Sequence, residues 1–256
     1  LFIYMQHGKL NATEGQTYTF GVNEGLIGVD SGTSSQMKTP VQANVATVTG
    51  TEKVDATYLE VVTVSGAATA STTAGTPLEL QVRAVDANKN IDIHYGLAPD
   101  GENKTLRFSG LNSVGGNDPT IQAAPFGANI TINFLNGLSA ANSVTLTAYA
   151  KETQNVQADE YNAQGVSKYL AYPVAVTIDA LQADKITATS GDGQLGKTSR
   201  VLPTPLLVTI TDTYGNTVGG VNVTFAITAP ADGATLSVAS GVTNSSGQLS
   251  TILTLG

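Results

Sequence analysis

The stretch LLVTITDTYGNTVGGVNVTFAIT, residues 206–228, decides the fold. Leu206, Val208 and Ile210 stand at every second position, and so do Val221, Val223, Phe225 and Ile227. Period-2 apolar spacing places one set of side chains on one face of a strand. Between the two runs lie Asp212, Gly215 and Asn216, residue types that form tight turns because they accept positive φ or bond nearby backbone N–H groups. The unit is therefore strand, turn, strand.

The same pattern extends through the chain. Leu78, Leu80, Val82 and Ala84 alternate, as do Ile130, Ile132 and Phe134, and Val144, Leu146 and Ala148. Gly, Pro, Asn or Asp bounds each run, and short alternating strands at this spacing predict an all-β sandwich. The polar segment 151–165 is read as an exposed strand and loop rather than a helix, with Asp159 and Glu160 on a solvated face. Residues 1–57 hold two strand candidates, 16–22 and 41–49, joined by a polar Gly/Ser loop. Residues 58–176 read as a full domain and 177–256 as a second, incomplete one. LQVRAVDANKN and LVTITDTYGN both end a strand in Asp, at Asp86 and Asp212, which marks a weak internal repeat 126 residues apart.

Composition excludes several classes. Charged residues make up 12% of the 256, about half the ordinary share. The net charge is −8, and the twelve Lys and Arg are scattered, so no nucleic-acid surface is expected. With no Cys, disulfides, thiolate zinc sites and Cys nucleophiles are excluded. No run approaches the apolar length of a membrane span, so no membrane insertion is expected. The opening LFIYM is shorter than a signal-peptide core, and the chain reads as a mature or excised extracellular product. His7 and His94 lie in no catalytic motif and no G-x-S-x-G elbow occurs, so the chain is read as not an enzyme.

Residues 206–228, followed by ATLSV (234–238) and TNSSGQLSTILTLG (243–256), resemble the bacterial immunoglobulin-like domain of intimin and invasin type. The resemblance rests on Asp212, Tyr214, Gly215, Asn216, Gly220, Val221, Val223, Phe225, Asn244, Gly247 and Leu249. Residues 74–152 are similar to a related Ig-like repeat of prokaryotic surface proteins, through AGT, AVDANKN, LRFSG, INFLNG and VTLTAYAKET. There DANKN replaces the usual D-x-x-G-N turn. The resemblance implies tandem Ig-like sandwiches in an extracellular structural subunit of a filament, stalk or surface layer. The rival reading is an adhesin fragment that binds a host or neighbouring-cell ligand.

Candidate sites follow from residue type. Asp86, Asn88, Asn90 and Asp92 place oxygens at alternate positions, the pattern of a calcium loop, although Ile91 and Leu97 stand where such a loop has Gly and Glu. A polar hairpin turn explains the same run. Sequons occur at Asn11, Asn103, Asn129, Asn222 and Asn244, with Asn129 and Asn222 expected to be the least accessible because they border core strands. No Trp is present and Tyr is dispersed, so a carbohydrate ligand rests on packing-type aromatics such as Tyr161, Tyr169 and Tyr172.

The resembled family continues after the strand of Leu253 and Leu255 with a turn and a closing strand of the type G-T-Y-T-V. The segment EGQTYTFGV (14–22), with Tyr18, Phe20 and Val22, resembles that strand. Three arrangements account for this. The chain is one excised period of a longer repeat, or the N-terminal segment returns to close its own last domain, or it inserts into the last domain of the next copy. The last gives self-association into a head-to-tail polymer by strand complementation.

Overall fold

The computed structural model describes residues 17–20, 48–51, 53–97, 100–228 and 232–256. Every regular element among them is a β-strand, and no helix is long and apolar enough to cross a membrane. Among the described residues the protein is all-β.

Two strands come first, β1 (Thr17–Phe20) and β2 (Val48–Thr51). They pair antiparallel with each other, from Thr17↔Thr51 to Phe20↔Val48. They fall in or beside the two N-terminal runs expected from sequence.

The first sandwich holds β3 (Tyr58–Thr63), β4 (Thr69–Thr73), β5 (Leu78–Val85), β6 (Glu102–Ser109), β7 (Thr120–Ile121), β8 (Ala124–Pro125) and β9 (Ile130–Leu135). It continues with β10 (Leu138–Ser139), β11 (Thr145–Thr147), β12 (Glu152–Glu160), β13 (Leu170–Tyr172) and β14 (Val174–Asp179), the last running past the 176/177 division drawn from sequence. These strands form one network in the order β4-β14-β12-β6-β9-β10-β5-β11-β7-β8, with β3 between β5 and β13. The long strands change partner along their length. The first half of β12 pairs with β14 and its second half with β6. The sheet is thereby bent around a single core.

That core is what alternation predicts. Leu80, Val82 and Ala84 from β5, Leu106 and Phe108 from β6, Ile132 and Phe134 from β9, and Val174, Val176 and Ile178 from β14 are all within 2% of full burial. Each large side chain contributes about 1.5–3 kcal/mol by leaving water. One reading is corrected here. The β12 segment is exposed only over its first half, at Thr153 to Asn155, because Val156, Ala158 and Glu160 share an inner face and all three are buried.

The second sandwich is built from β15 (Lys185–Ser190), β16 (Leu206–Thr211), β17 (Asn222–Thr224), β18 (Thr235–Leu236), β19 (Ser240–Val242), β20 (Gln248–Thr251) and β21 (Leu253–Thr254). Its pieces are β15-β16-β20, β17-β19 and β18-β21. Leu206, Val208 and Ile210 share a face with Ile186 and Leu249 through the β16 registers. Yet among the described apolar residues beyond 180, only Leu202, Ile210 and Val223 are buried. Ile186 is 57% exposed, and Leu195 is 96% exposed. The second unit has the strands of a sandwich but only part of its covering.

Local stability should follow this contrast. In native-state hydrogen exchange, amides of β6 and β12 should be protected at the global unfolding level and those of β15 and β17 at a lower one. Equal protection in both units would contradict the account.

Candidate functional site

Four turns share one design. At Asp86, Asn162, Asp212 and Asn244, the side-chain Oδ1 accepts backbone N–H bonds from the second and fourth residues onward, at 2.8–3.0 Å. The N–H of the third residue onward returns to the first residue's carbonyl, and the first N–H donates to the carbonyl of the fourth onward. That third residue takes positive φ: Lys89 at 66°, Gly165 at 75°, Gly215 at 94° and Gly247 at 70°. Glycine reaches this region without steric cost, whereas lysine does not. Lys89 has a compensation, since its Nζ bonds Glu60 Oε1 at 2.7 Å, on a carboxylate that is otherwise buried. This explains why DANKN replaces the glycine form. The turn at Asn162 carries the same N-x-x-G signature and was open to detection in the sequence.

The Asp212 turn extends beyond its own domain. Its carboxylate is 2% exposed and accepts four bonds, from the N–H groups of Leu181, Tyr214 and Asn216 and from Asn216 Nδ2. Burial alone would raise this carboxyl. The side-chain bond from Asn216 and the backbone bonds from Leu181, Asn216 and Tyr214 outweigh it and hold the group below its ordinary value. Asn216 is fixed by Asp212 and reaches the first sandwich, where Nδ2 donates to Tyr149 O at 2.7 Å and Oδ1 accepts from Lys151 N at 2.7 Å. Lys151 Nζ donates to Thr217 O at 3.0 Å and Ser245 O at 3.4 Å. The Tyr214 ring meets Tyr149 edge-on at 4.9 Å and packs against the first core. A Cβ at Gly75 would collide with the Tyr214 hydroxyl, so the close approach needs glycine there. The junction is thus a polar lock with an aromatic seat.

The residues singled out in sequence are placed as follows. Asp86 Oδ2 accepts from Asn90 Nδ2 at 2.9 Å. Asp92 lies apart from this turn, with Oδ2 accepting from Ala56 N and Oδ1 from His94 N, each at 2.9 Å. The N–H of Asn88 serves Asp86. Among the described residues, no group of three or more His, Asp or Glu is arranged to hold a metal. Asn103, Asn129, Asn222 and Asn244 are all exposed. The expectation that Asn129 and Asn222 are least accessible is therefore corrected: Ile130 and Val223 point inward, so their neighbours point out. Asn11, Val22 and His7 lie outside the described residues, and of Tyr18 and Phe20 only the backbone is described, in β1. Leu253 and Leu255 are half-buried. Leu253 pairs with Leu236, and Leu255 N donates to Arg200 O at 2.9 Å.

Glu160 is a further correction, since it is not on a solvated face. It is 7% exposed, accepts from the Tyr95 hydroxyl at 2.5 Å and pairs with Lys168. Burial, then the bond to Glu160, pushes the Tyr95 phenol far up, so it stays protonated and donates to Glu160. Tyr169 meets Tyr95 edge-on at 5.6 Å. The set binds the 161–169 segment to the sheet.

No protein-family model and no curated protein matches the chain. Among solved structures, the D00-D0 domain of intimin is similar at 18% identity and a TM-score of 0.32, over 77% of this chain and 86% of that one.

The lock has a measurable pH signature. A depressed folded value means that Asp212 stabilises fully above its unfolded value, about 3.9, and loses this as pH falls through the folded value. Asp212→Ala should cost about 3 kcal/mol in urea unfolding at neutral pH. It should also flatten the acid limb of stability against pH, whereas an unchanged acid limb would contradict this role.

Proposed function

We propose that this chain is an extracellular structural subunit of a surface filament, stalk or layer, and that copies assemble head to tail by β-strand complementation. The observation that carries the reading is the half-covered second sandwich. A sheet face and edge left open in water forfeit burial and backbone pairing, and proteins relieve this by covering or pairing them. Strand addition from another copy is heterologous, and repeated without ring closure it gives an open filament. The four turn staples and the polar lock at Asn216 support a mechanical role, because they stiffen each unit and the step between units. No catalytic constellation is needed for it.

An adhesive role is the second reading. It is favoured by β13, which pairs with β3 alone and carries Leu170 at 62% exposure. The stacked Tyr58 and Tyr172 rings lie 4.2 Å apart beside it. An apolar and aromatic edge of this kind suits a host or neighbouring-cell ligand, carbohydrate included.

Deletion of residues 1–22 separates the two. The filament reading expects polymers of the intact chain in negative-stain images, lost on deletion and restored when intact chain is added. Polymers that form equally well without the segment would exclude complementation by it.

A further inference from the structure

Three loops of the first sandwich meet two turns of the second. The loops are the 73–76 turn with Gly75, the hairpin tip at Gly115, and the 149–151 segment between β11 and β12. The turns are those at Asp212 and Asn244. Gly75 lies against the Tyr214 ring, and a Cβ at Gly115 would stand 2.6 Å from Tyr214 O. Tyr149 O and Lys151 N hold the Asn216 side chain. Lys151 Nζ spans both turns, since it donates to Thr217 O in one and to Ser245 O in the other.

Inside the second sandwich the two turns are knitted together. Ile210 N donates to Gly247 O at 2.8 Å, and Val218 N donates to Ile210 O at 3.0 Å. Gly220 N donates to Thr243 O at 3.0 Å, and the Thr243 hydroxyl donates to Val218 O at 3.1 Å. No room is left between them. A Cβ on Gly247 would stand 2.6 Å from Ile210 O, and one on Gly219 would stand 2.6 Å from Asn244 O.

Four strands start or finish at these turns. β16 ends at Thr211 and β17 starts at Asn222, on either side of the Asp212 turn. β19 ends at Val242 and β20 starts at Gln248, on either side of the Asn244 turn. These strands belong to both the β15-β16-β20 and the β17-β19 sheets. Close-packed parts pass a displacement on rather than absorb it. A shift of either turn therefore moves the other, and with it strands of two sheets.

The dependence has a direction. The buried core of the first sandwich comes from its own strands and loops, and Tyr214 only packs against its margin. In the second sandwich, by contrast, the residue that completes the Asp212 turn has partners across the junction. We infer that the junction is a one-way coupling device. The strands of the second sandwich take part of their stability from the seating of its two turns on the first, and a change at the three loops of the first unit is transmitted to β16 and β20. The core of the first unit does not respond to the second.

The hairpin tip supplies a matched pair of variants. Gly115 and Gly116 have φ of 57° and 81° and lie between the bridged residues Val114 and Asn117. Alanine at either position strains the backbone in the same way. Only at Gly115 does the new Cβ strike the second sandwich, because at Gly116 it meets nothing within 4 Å. In the intact chain, Gly115→Ala should speed hydrogen exchange of the β16 and β20 amides about tenfold, while those of β5 and β6 stay protected. Gly116→Ala should leave all four strands unchanged. Lys151→Met keeps the backbone bond to Asn216 and removes those to Thr217 and Ser245, so it should act in the direction of Gly115→Ala. Exchange that changes only within 112–118, or equally for the two glycine variants, overturns the coupling. Exchange that quickens in β5 and β6 in step with β16 and β20 overturns its one-way sense.

Discussion

A β-sheet has two liabilities, an apolar face and two edges, and both must be met by other parts of a protein. In this molecule the face is the governing constraint. The first unit meets it by letting β5 and β12 exchange partners along their length, which bends twelve strands around one core. Phe108 and Phe134 are then fully buried, and so is Val62 on the opposite face of β3. Among the described residues the second unit opens in the same way and buries far less of its apolar surface. Its apolar residues are of the right kind at the right spacing, but Phe225 and Ile227 reach only partial burial. Chemistry and geometry agree there, and the missing quantity is covering surface.

The turns set how units are joined. An Asp or Asn that accepts two backbone N–H bonds fixes five residues, and repetition of this device four times holds the hairpin ends rigid. At Asp212 the device carries a second function, because the residue that completes the turn, Asn216, also bonds Tyr149 and Lys151 across the junction. A residue already immobilised by its own domain loses little further entropy when it bonds the next one. Tandem sandwiches joined by a short segment would otherwise be free to pivot.

Much of the fold was legible because the period-2 signal is local. Leu80 to Ala84, Ile130 to Phe134 and Leu206 to Ile210 each occur in strands, and in the first two the alternate residues are the buried ones. The D-x-x-x-N turns were equally local, and so was the 126-residue repeat. What escaped depends on partners distant in sequence. The parallel pairings of β13 with β3 and of β14 with β4 have no local signature. Glu160 reads as a surface acid until its place on the inner face of β12 is known, with Tyr95 and Lys168 to satisfy it. The alternating oxygens from Asp86 to Asp92 were visible as a pattern, but their direction was not. Sequence cannot distinguish an oxygen turned outward to a cation from one turned back onto an amide, and Asp86 and Asp92 both bond amides. The junction was illegible for the same reason, since nothing near Asn216 names Tyr149 as its acceptor.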